Sequence, residues 1–113
     1  MHEFALAQDI VETITQQVTD DLEKITQINI EVGAFSGVVA ESLEFGIKVI
    51  FADKNIPGAK VNIVKVPTIA RCKCGKEYEL NDIFTSCPEC QSFERQIKSG
   101  MDIFIKSVAL SEE

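Results

Sequence analysis

Four cysteines in the second half of this 113-residue chain are the side chains best suited to chemistry. They form two pairs, at Cys72 and Cys74 and at Cys87 and Cys90. Zinc binds four ligands as a tetrahedron, and thiolates are the preferred ligands in closed structural sites. The sequence therefore predicts a structural zinc ion that is held by all four cysteines.

Other uses of paired cysteines fit the sequence less well. A redox dithiol normally uses one Cys-x-x-Cys pair at a helix N-terminus, whereas here two pairs lie in segments predicted to be loops. A zinc ribbon that binds nucleic acid needs a basic surface, but residues 71–98 contain five basic and five acidic residues. The N-terminal residues do not resemble a signal peptide, so we expect a cytoplasmic protein with reduced thiols rather than disulfides.

The two cysteine pairs differ in their spacing. In CPEC, the proline stiffens the turn and the two-residue gap lets both sulfurs face one ion. Only one residue separates Cys72 from Cys74, and an extended strand would keep their sulfurs too far apart to bind one ion. We therefore expect a bent turn, which Gly75 permits, followed by residues able to form a hairpin before Cys87.

The only histidine of the chain, His2, is a second candidate for metal binding. The terminal amine of Met1, the backbone nitrogen of His2 and its ring nitrogen can close successive small chelate rings around one ion. Nitrogen-rich, planar ligand sets of this kind favour Ni(II) or Cu(II). The residues alone leave an alternative open, in which the Met-His sequence belongs to a frayed terminus without a role.

Periodic patterns predict the elements that must position these residues. An amphipathic helix is predicted over residues 4–23 and a second over about 40–51. Alternating or β-branched segments predict strands over 27–33, 60–66 and 101–108. We expect the last two strands, which flank the cysteine segment, to be neighbours in one sheet.

The order of these elements predicts an α+β fold. Two helices would lie on a small sheet of about three strands, with a zinc-ribbon-like module inserted between strands. We assign residues 1–70 and 99–113 to an α+β domain that carries the terminal metal site, and residues 71–98 to the module. The module has few large aliphatic side chains, so it needs an ion to hold its fold.

The net charge of −7 is concentrated in the first half of the chain. Residues 1–50 contain nine acidic residues against two basic ones, whereas residues 51–113 contain nine of each. Such a surface repels nucleic acid and suits metal cations or a basic partner protein, although acidic surfaces also serve solubility alone. No apolar run approaches the roughly 18 residues of a membrane span, so we expect no membrane contact.

Four segments together resemble the HypA family over the whole chain. They are MHEFALAQDI at the start, INIEVGAFSGVVAESLEF, the cysteine segment, and GMDIFIKSV near the end. The resemblance implies a nickel metallochaperone for maturation of nickel-iron hydrogenase and, in some organisms, of urease. It also implies two partners, a HypB-type nickel GTPase and the precursor of the hydrogenase large subunit.

The resemblance also assigns roles to individual residues. It implies that His2 is the essential nickel ligand, assisted by the backbone of Met1 and by a nearby acidic residue. Glu3 matches that acidic residue by position, and Glu41 and Glu44 are the next candidates. The four cysteines match the family's zinc ligands, although many members have two residues between the first pair instead of one.

Two alternatives of other classes remain at this point. The first is a zinc-ribbon adaptor that acts only through protein contacts and has no nickel role. The second is a small metal-dependent enzyme, which we disfavour because the sequence contains no clustered acid–base or nucleophilic set. The sequence leaves the choice between monomer and homodimer open.

Overall fold

The computed structural model describes residues 3–19, 22–54, 56 and 58–111. Along these residues the elements are α1 (Glu3–Gln17), a short 3-10 helix (Leu22–Lys24), β1 (Ile25–Gly33), α2 (Ala40–Asp53), β2 (Lys60–Val66), β3 (Thr68–Cys72), β4 (Glu77–Leu80), β5 (Arg95–Ser99) and β6 (Ile103–Leu110). Their order confirms the predicted α+β class.

The first three-stranded sheet has the strand order β2-β1-β6. The central strand β1 is parallel to β2 and antiparallel to β6. Along β1, Ile28, Ile30 and Val32 are buried, while the alternate positions carry half-buried polar residues. This alternation explains why one face of the sheet packs against the helices and the other remains open.

The expected pairing between the strands that flank the cysteine segment was wrong. Both strands belong to this sheet, but β1 lies between them. After α2, the chain returns as the parallel strand β2 on one edge of β1. The opposite edge of β1 then remains available to β6, which pairs with it in the antiparallel direction.

The first helix is shorter than predicted. It ends at Gln17, and the chain bends at Val18 and Thr19 before the 3-10 helix begins at Leu22. Val18 and Leu22 nevertheless pack against the main core. The apolar stripe therefore continues beyond the helix, because both side chains contact the same core although neither belongs to α1.

Helices α1 and α2 pack side by side with their N-terminal ends together. The backbone N–H of Val39, which precedes α2, donates a hydrogen bond of 3.2 Å to the carboxylate of Glu3. Gly46 allows a close approach, since a Cβ there would lie 3.2 Å from the Cβ of Ala7. The helix pair therefore crosses at Gly46 and covers the buried face of the sheet. The main core, between the helix pair and the sheet, consists of Ala7, Ile10, Val11, Ile14, Ile25, Ile28, Ile30, Val32, Leu43, Ile47, Phe51, Ile56 and Val61.

The second three-stranded sheet, in the order β4-β3-β5, carries the cysteines. Both of its outer strands are antiparallel to β3. The sheet begins at Thr68 and ends at Ser99, and a small core of its own forms beside it. That core contains Ala70, Cys72, Tyr78, Leu80 and Cys87, with Phe35 packed against it.

The two sheets meet at a tight crossing of the backbone. A Cβ added at Gly33, the last residue of β1, would overlap the carbonyl group of Gly100. Gly100 has a φ of 91°, and its carbonyl oxygen accepts hydrogen bonds from the hydroxyl of the buried Thr68, at 3.0 Å, and from the N–H of Phe35, at 2.9 Å. The crossing occupies Gly100–Asp102, which explains why β6 begins at Ile103, two residues later than predicted.

Candidate metal centre

The first cysteine pair lies in a turn between β3 and β4. The N–H of Gly75 donates to the carbonyl oxygen of Cys72 at 2.9 Å, and the N–H of Cys72 donates to that of Lys76 at 2.8 Å. Gly75 has a φ of 96°, which favours glycine. The expected bent turn is therefore present. The hairpin is formed by β3 and β4 around this pair, and not by the residues between the two pairs.

The second cysteine pair closes a turn of its own. The N–H of Gln91 donates to the carbonyl oxygen of Cys87 at 2.8 Å, and the N–H of Cys87 donates to Ser92 at 3.0 Å. The N–H of Glu89 points at the sulfur of Cys87, at 3.4 Å. Gln91 has a φ of 62°, in the left-handed region that ends such a turn. The backbone thus holds Cys87 and Cys90 on one side of the turn.

The two turns bring the four sulfurs to one point. All four Sγ atoms lie within 4.8 Å of one another. The separations across the turns are 3.3 Å between Cys72 and Cys90 and 3.7 Å between Cys74 and Cys87. A tetrahedral ion with zinc–sulfur bonds of about 2.3 Å requires sulfurs about 3.8 Å apart. The cluster therefore has the size that a four-coordinate zinc ion requires.

No disulfide joins the four cysteines, and their burial is uneven. Cys72 and Cys87 are buried, whereas Cys74 and Cys90 are exposed. Within the described residues, these cysteines form the only group of three or more His, Cys, Asp or Glu side chains whose ligand atoms converge. Four protein ligands complete a tetrahedron and leave no position for a substrate, which is the arrangement of a structural site.

The protein environment separates the acidities of the two buried thiols. The backbone amide of Cys74 lowers the pKa of Cys72, but burial and the neighbouring thiols outweigh it and raise that pKa to about 12. Burial raises the pKa of Cys87, but the amides of Cys90 and Glu89, together with the other thiols, lower it to about 7. Burial and the neighbouring thiols thus oppose ionisation of Cys72, whereas the backbone amides around Cys87 favour it.

The candidate nickel residues belong to the N-terminal part of the chain, far in the sequence from the cysteines. Met1 and His2 are outside the described residues. Glu3, at the start of α1, directs a carboxylate oxygen to the N–H of Val39, where the N-terminus of α2 favours a negative charge. Glu41 is exposed in the first turn of α2, and Glu44 forms an ion pair of 2.8 Å with Lys48.

Two residues that support the cysteine cluster were missed in the sequence analysis. Phe35 comes from the loop after β1 and packs against the core that contains Cys72 and Cys87. Arg95 donates hydrogen bonds of 3.0 Å to the carbonyl oxygens of Thr85 and Ile83, and so ties the loop between the pairs to β5. A large aromatic residue within the glycine-containing GAFSG segment was a signal for Phe35, whereas no sequence pattern indicated the contacts of Arg95.

The fold and the site together define an α+β protein with an inserted cluster of four cysteines that could hold a metal ion. A family model described as hydrogenase/urease nickel incorporation, metallochaperone, hypA matches residues 1–110. The chain belongs to the HypA family, which confirms the resemblance found in its sequence.

Individual relatives match over nearly their full length. A hydrogenase maturation factor HypA from Francisella philomiragia is 34% identical over 112 residues, covering 98% of this chain and 100% of that protein. One from Desulfosudis oleivorans is 36% identical over 115 residues, covering 99% and 100%. The solution structure of the Ni metallochaperone HypA from Helicobacter pylori superposes with a TM-score of 0.66 at 17% identity, covering 100% of both chains, which supports the same fold.

None of the helices in the described part of the chain combines the length and the apolar character needed to cross a bilayer.

Proposed function

We propose that this protein is a nickel metallochaperone, which carries nickel for the maturation of nickel-iron hydrogenase and catalyses no reaction itself. The observation that carries the proposal is the match of residues 1–110 to the HypA family model. The closed cluster of four cysteines supports it, because a cluster with four protein ligands suits a structural ion better than a catalytic one.

In this proposal, Cys72, Cys74, Cys87 and Cys90 hold one zinc ion. Bound zinc supplies cross-linking, since its bonds join the turn after β3 to the turn before β5. The need for such a cross-link follows from the small core beside this sheet, in which two of the five buried residues are themselves cysteines. We retain the division into an α+β domain of residues 1–70 and 99–113 and a zinc module of residues 71–98 as part of the proposal.

The cargo nickel ion is bound by the N-terminal residues. The amine of Met1 and the backbone and ring nitrogens of His2 supply a compact chelate, and the carboxylate of Glu3 supplies an oxygen. Such a nitrogen-rich set suits Ni(II) rather than zinc, whereas the thiolates suit zinc. The two ions would thus be sorted by ligand type. The contact between Glu3 and the N–H of Val39 supports the assignment, because it fixes the carboxylate close to the start of the chain.

The partners follow from the same proposal. A HypB-type nickel GTPase would exchange nickel with the protein, and the precursor of the hydrogenase large subunit would receive it. Transfer would take place in the cytoplasm, where reducing conditions keep the four thiols available to zinc. The printed names of the relatives, hydrogenase maturation factors, support a role in this pathway.

Nickel titration of the untagged, zinc-loaded protein tests the proposal. We expect one nickel ion per chain, and we expect His2→Ala to abolish binding while zinc content and fold are kept. A Gly-Ser extension before Met1 should also weaken binding, because it removes the terminal amine from its chelate ring, whereas the same extension at the C-terminus should not. Absence of nickel binding by the native chain would instead favour the zinc-ribbon adaptor.

A further inference from the structure

The outer surface of the helix pair contains a groove of about 630 Å³. It runs between α1 and α2, on the side facing away from the sheet. Its lining residues are Phe4, Gln8, Asp9, Glu12, Thr15, Val49, Ile50, Asp53 and Lys54. Ile50 packs against the main core and forms part of the floor. The groove thus has a well-packed base.

The apolar side chains at this groove are unusually exposed for the outer face of a helix pair. The lining residues Phe4 and Val49 are 51% and 43% exposed, and Phe45, which does not line the groove but precedes Val49 by one turn of α2, is 70% exposed. Gly46 lets Phe4 lie against α2, since a Cβ at position 46 would be 3.4 Å from the Phe4 ring. Large apolar side chains that share a solvent-facing surface indicate a contact with another molecule.

The polar rim of the groove is predominantly acidic. Asp9, Glu12 and Asp53 line it, against the single cation Lys54. These carboxylates do not form a converging metal-ligand group, because the cysteines are the only such group among the described residues. With three carboxylates and one ammonium group, the rim favours a partner that carries positive charge.

We propose that this groove binds a basic amphipathic helix of a partner protein. The lining residues Phe4 to Thr15 span about 16 Å of α1, which matches about three turns of a docked helix. Apolar side chains on one face of that helix would contact Phe4, Val49 and Ile50, and its lysines or arginines would lie against the rim. This is the helix-in-groove mode of recognition, with charge complementarity setting the choice of partner.

The same charges disfavour other occupants. A second copy of the chain that used this face symmetrically would bring two acidic rims together. Anionic lipid surfaces and nucleic acids would be repelled for the same reason. A basic helix is the occupant whose apolar and charged groups both find complementary groups in the groove.

The groove begins one residue after Glu3, so a docked helix would end beside the N-terminal residues. If these bind nickel as proposed, the partner would be held next to the cargo. That consequence rests on the proposed function, but the docking does not, because Glu3, the one proposed nickel ligand within the described residues, is not among the residues that line the groove. The docking can therefore be tested in nickel-free protein.

The test uses the full-length, zinc-loaded, nickel-free chain labelled with ¹⁵N. The probe is a synthetic peptide of about 14 residues, long enough to form a helix on binding, with leucines at helical spacing and lysines on the flanks. One control peptide replaces every lysine with glutamate, and another keeps the composition but scrambles the leucine spacing. We expect only the first peptide to shift the amide signals of Gln8, Thr15 and Val49, with an affinity that falls as salt is added.

A matched pair of variants locates the contact. Val49→Ser removes an apolar wall of the groove, while Val64→Ser makes the same change on β2, at a valine of similar exposure, 48%, outside the groove. We expect Val49→Ser to weaken binding about five-fold and Val64→Ser to leave it unchanged. Likewise, Glu12→Gln should reduce the salt dependence, and Glu79→Gln in β4 should not.

Several results would overturn this assignment. Equal binding of the glutamate peptide, equal effects of Val49→Ser and Val64→Ser, signal changes confined to another surface, or no binding at about 1 mM peptide each contradict it. Sedimentation showing a dimer that Val49→Ser dissociates would assign the groove to a second copy instead. His2→Ala should bind the peptide normally, so failure of nickel binding and failure of docking are distinguished.

Discussion

The proposed nickel site combines two titrating groups, the amine of Met1 and the imidazole of His2, within one short chelate. The terminal amine of Met1 ordinarily titrates near pH ~8 and an imidazole near ~6.5, so protons compete with the metal for both. We expect nickel affinity to fall steeply between about pH 7.5 and 6, as measured by competition with a chromogenic chelator. Zinc content, measured in the same samples, controls for loss of the fold. An affinity independent of pH over this range would contradict a nitrogen chelate.

Tyr78 offers a second prediction for a single residue. Its ring is buried beside Cys72 and Leu80, and its hydroxyl has no hydrogen-bond partner within the described part of the chain. A buried hydroxyl without a partner costs about 1–3 kcal/mol, so Tyr78→Phe should leave stability unchanged or raise the free energy of unfolding by about 1 kcal/mol. Urea unfolding of the zinc-loaded protein measures this change. Destabilisation by more than 1 kcal/mol would mean that the hydroxyl donates to an ordered water or to the cluster.

The cysteines show why residue types predicted the convergence of the four sulfurs so well. All four side chains are of one chemical kind, and the last two are separated only by Pro88 and Glu89. Their clustering could therefore be predicted from local sequence, with little knowledge of the tertiary structure. Phe35 and Arg95 are different. Their contacts join segments that are far apart in the sequence, and neither residue belongs to a repeating local pattern that could have indicated a partner.

At the scale of helices and strands, local periodicity identified every element of the first sheet and both helices. Periodicity could not determine the strand order, because β6 would bury its apolar face equally well beside β1 or beside β2. The order depends on which edge of β1 is still unpaired after β2 has paired with it. Periodicity also misplaced the end of α1, since Val18 and Leu22 follow helical spacing although the helix ends at Gln17 and the chain bends at Val18 and Thr19.

The crossing between the sheets allows a sharp test of backbone packing. Gly100 has a φ of 91°, and a Cβ there would overlap Thr68 and lie 2.8 Å from the carbonyl oxygen of Pro67. Gly100→Ala should therefore reduce the free energy of unfolding by about 3 kcal/mol or more. Gly58→Ala is a matched control, because Gly58 has a φ of 83° but no atom within 4 Å of the added carbon, and it should cost only about 1 kcal/mol. Denaturant unfolding measures both variants. Similar losses of stability would show that the positive φ, and not the close contacts at the crossing, causes the destabilisation.

The second sheet should depend on its ion, whereas the helices should not. Cys87→Ser removes a buried ligand and should release zinc, with loss of dispersed NMR signals from β3, β4 and β5. The helical far-UV circular dichroism should change by less than about a fifth, because α1 and α2 belong to the other core. Chelation of zinc from the native protein should reproduce the effect. Simultaneous loss of the helices would contradict the existence of two separate cores.

The whole molecule is elongated, with principal extents of 55 × 28 × 19 Å. Its two cores meet at the crossing, and Phe35 is the side chain that reaches from the helical half into the cysteine half. Phe35 also lies in the loop that leads to Val39 and its hydrogen bond with Glu3. The orientation of the zinc module is therefore linked by one short segment to the start of α1.

This link predicts a change of overall motion without a change of fold. Phe35→Ala should let the two halves reorient more freely, which ¹⁵N relaxation would report as different apparent tumbling times for the two sheets. Zinc content should stay at its native level, since no ligand is removed. Phe93→Ala is the control, because Phe93 is 60% exposed and should leave tumbling unchanged. Identical tumbling of both sheets in Phe35→Ala would show that the backbone crossing alone fixes their orientation.

The position of β6 has a consequence for how the chain folds. β6 is the last strand in the described part of the chain, and Asn29 in β1 is 78 positions before its partner Ser107 in β6. If residues 67–102 were unstructured, β6 would have to close a long flexible loop before it could pair with β1. A zinc-loaded module brings both of its ends together at Thr68 and Gly100 and shortens that loop about eight-fold, which lowers the free-energy cost of closing it by about 2 kcal/mol. Zinc capture at one end of the molecule would thereby speed completion of the sheet that supports the N-terminal helix at the other.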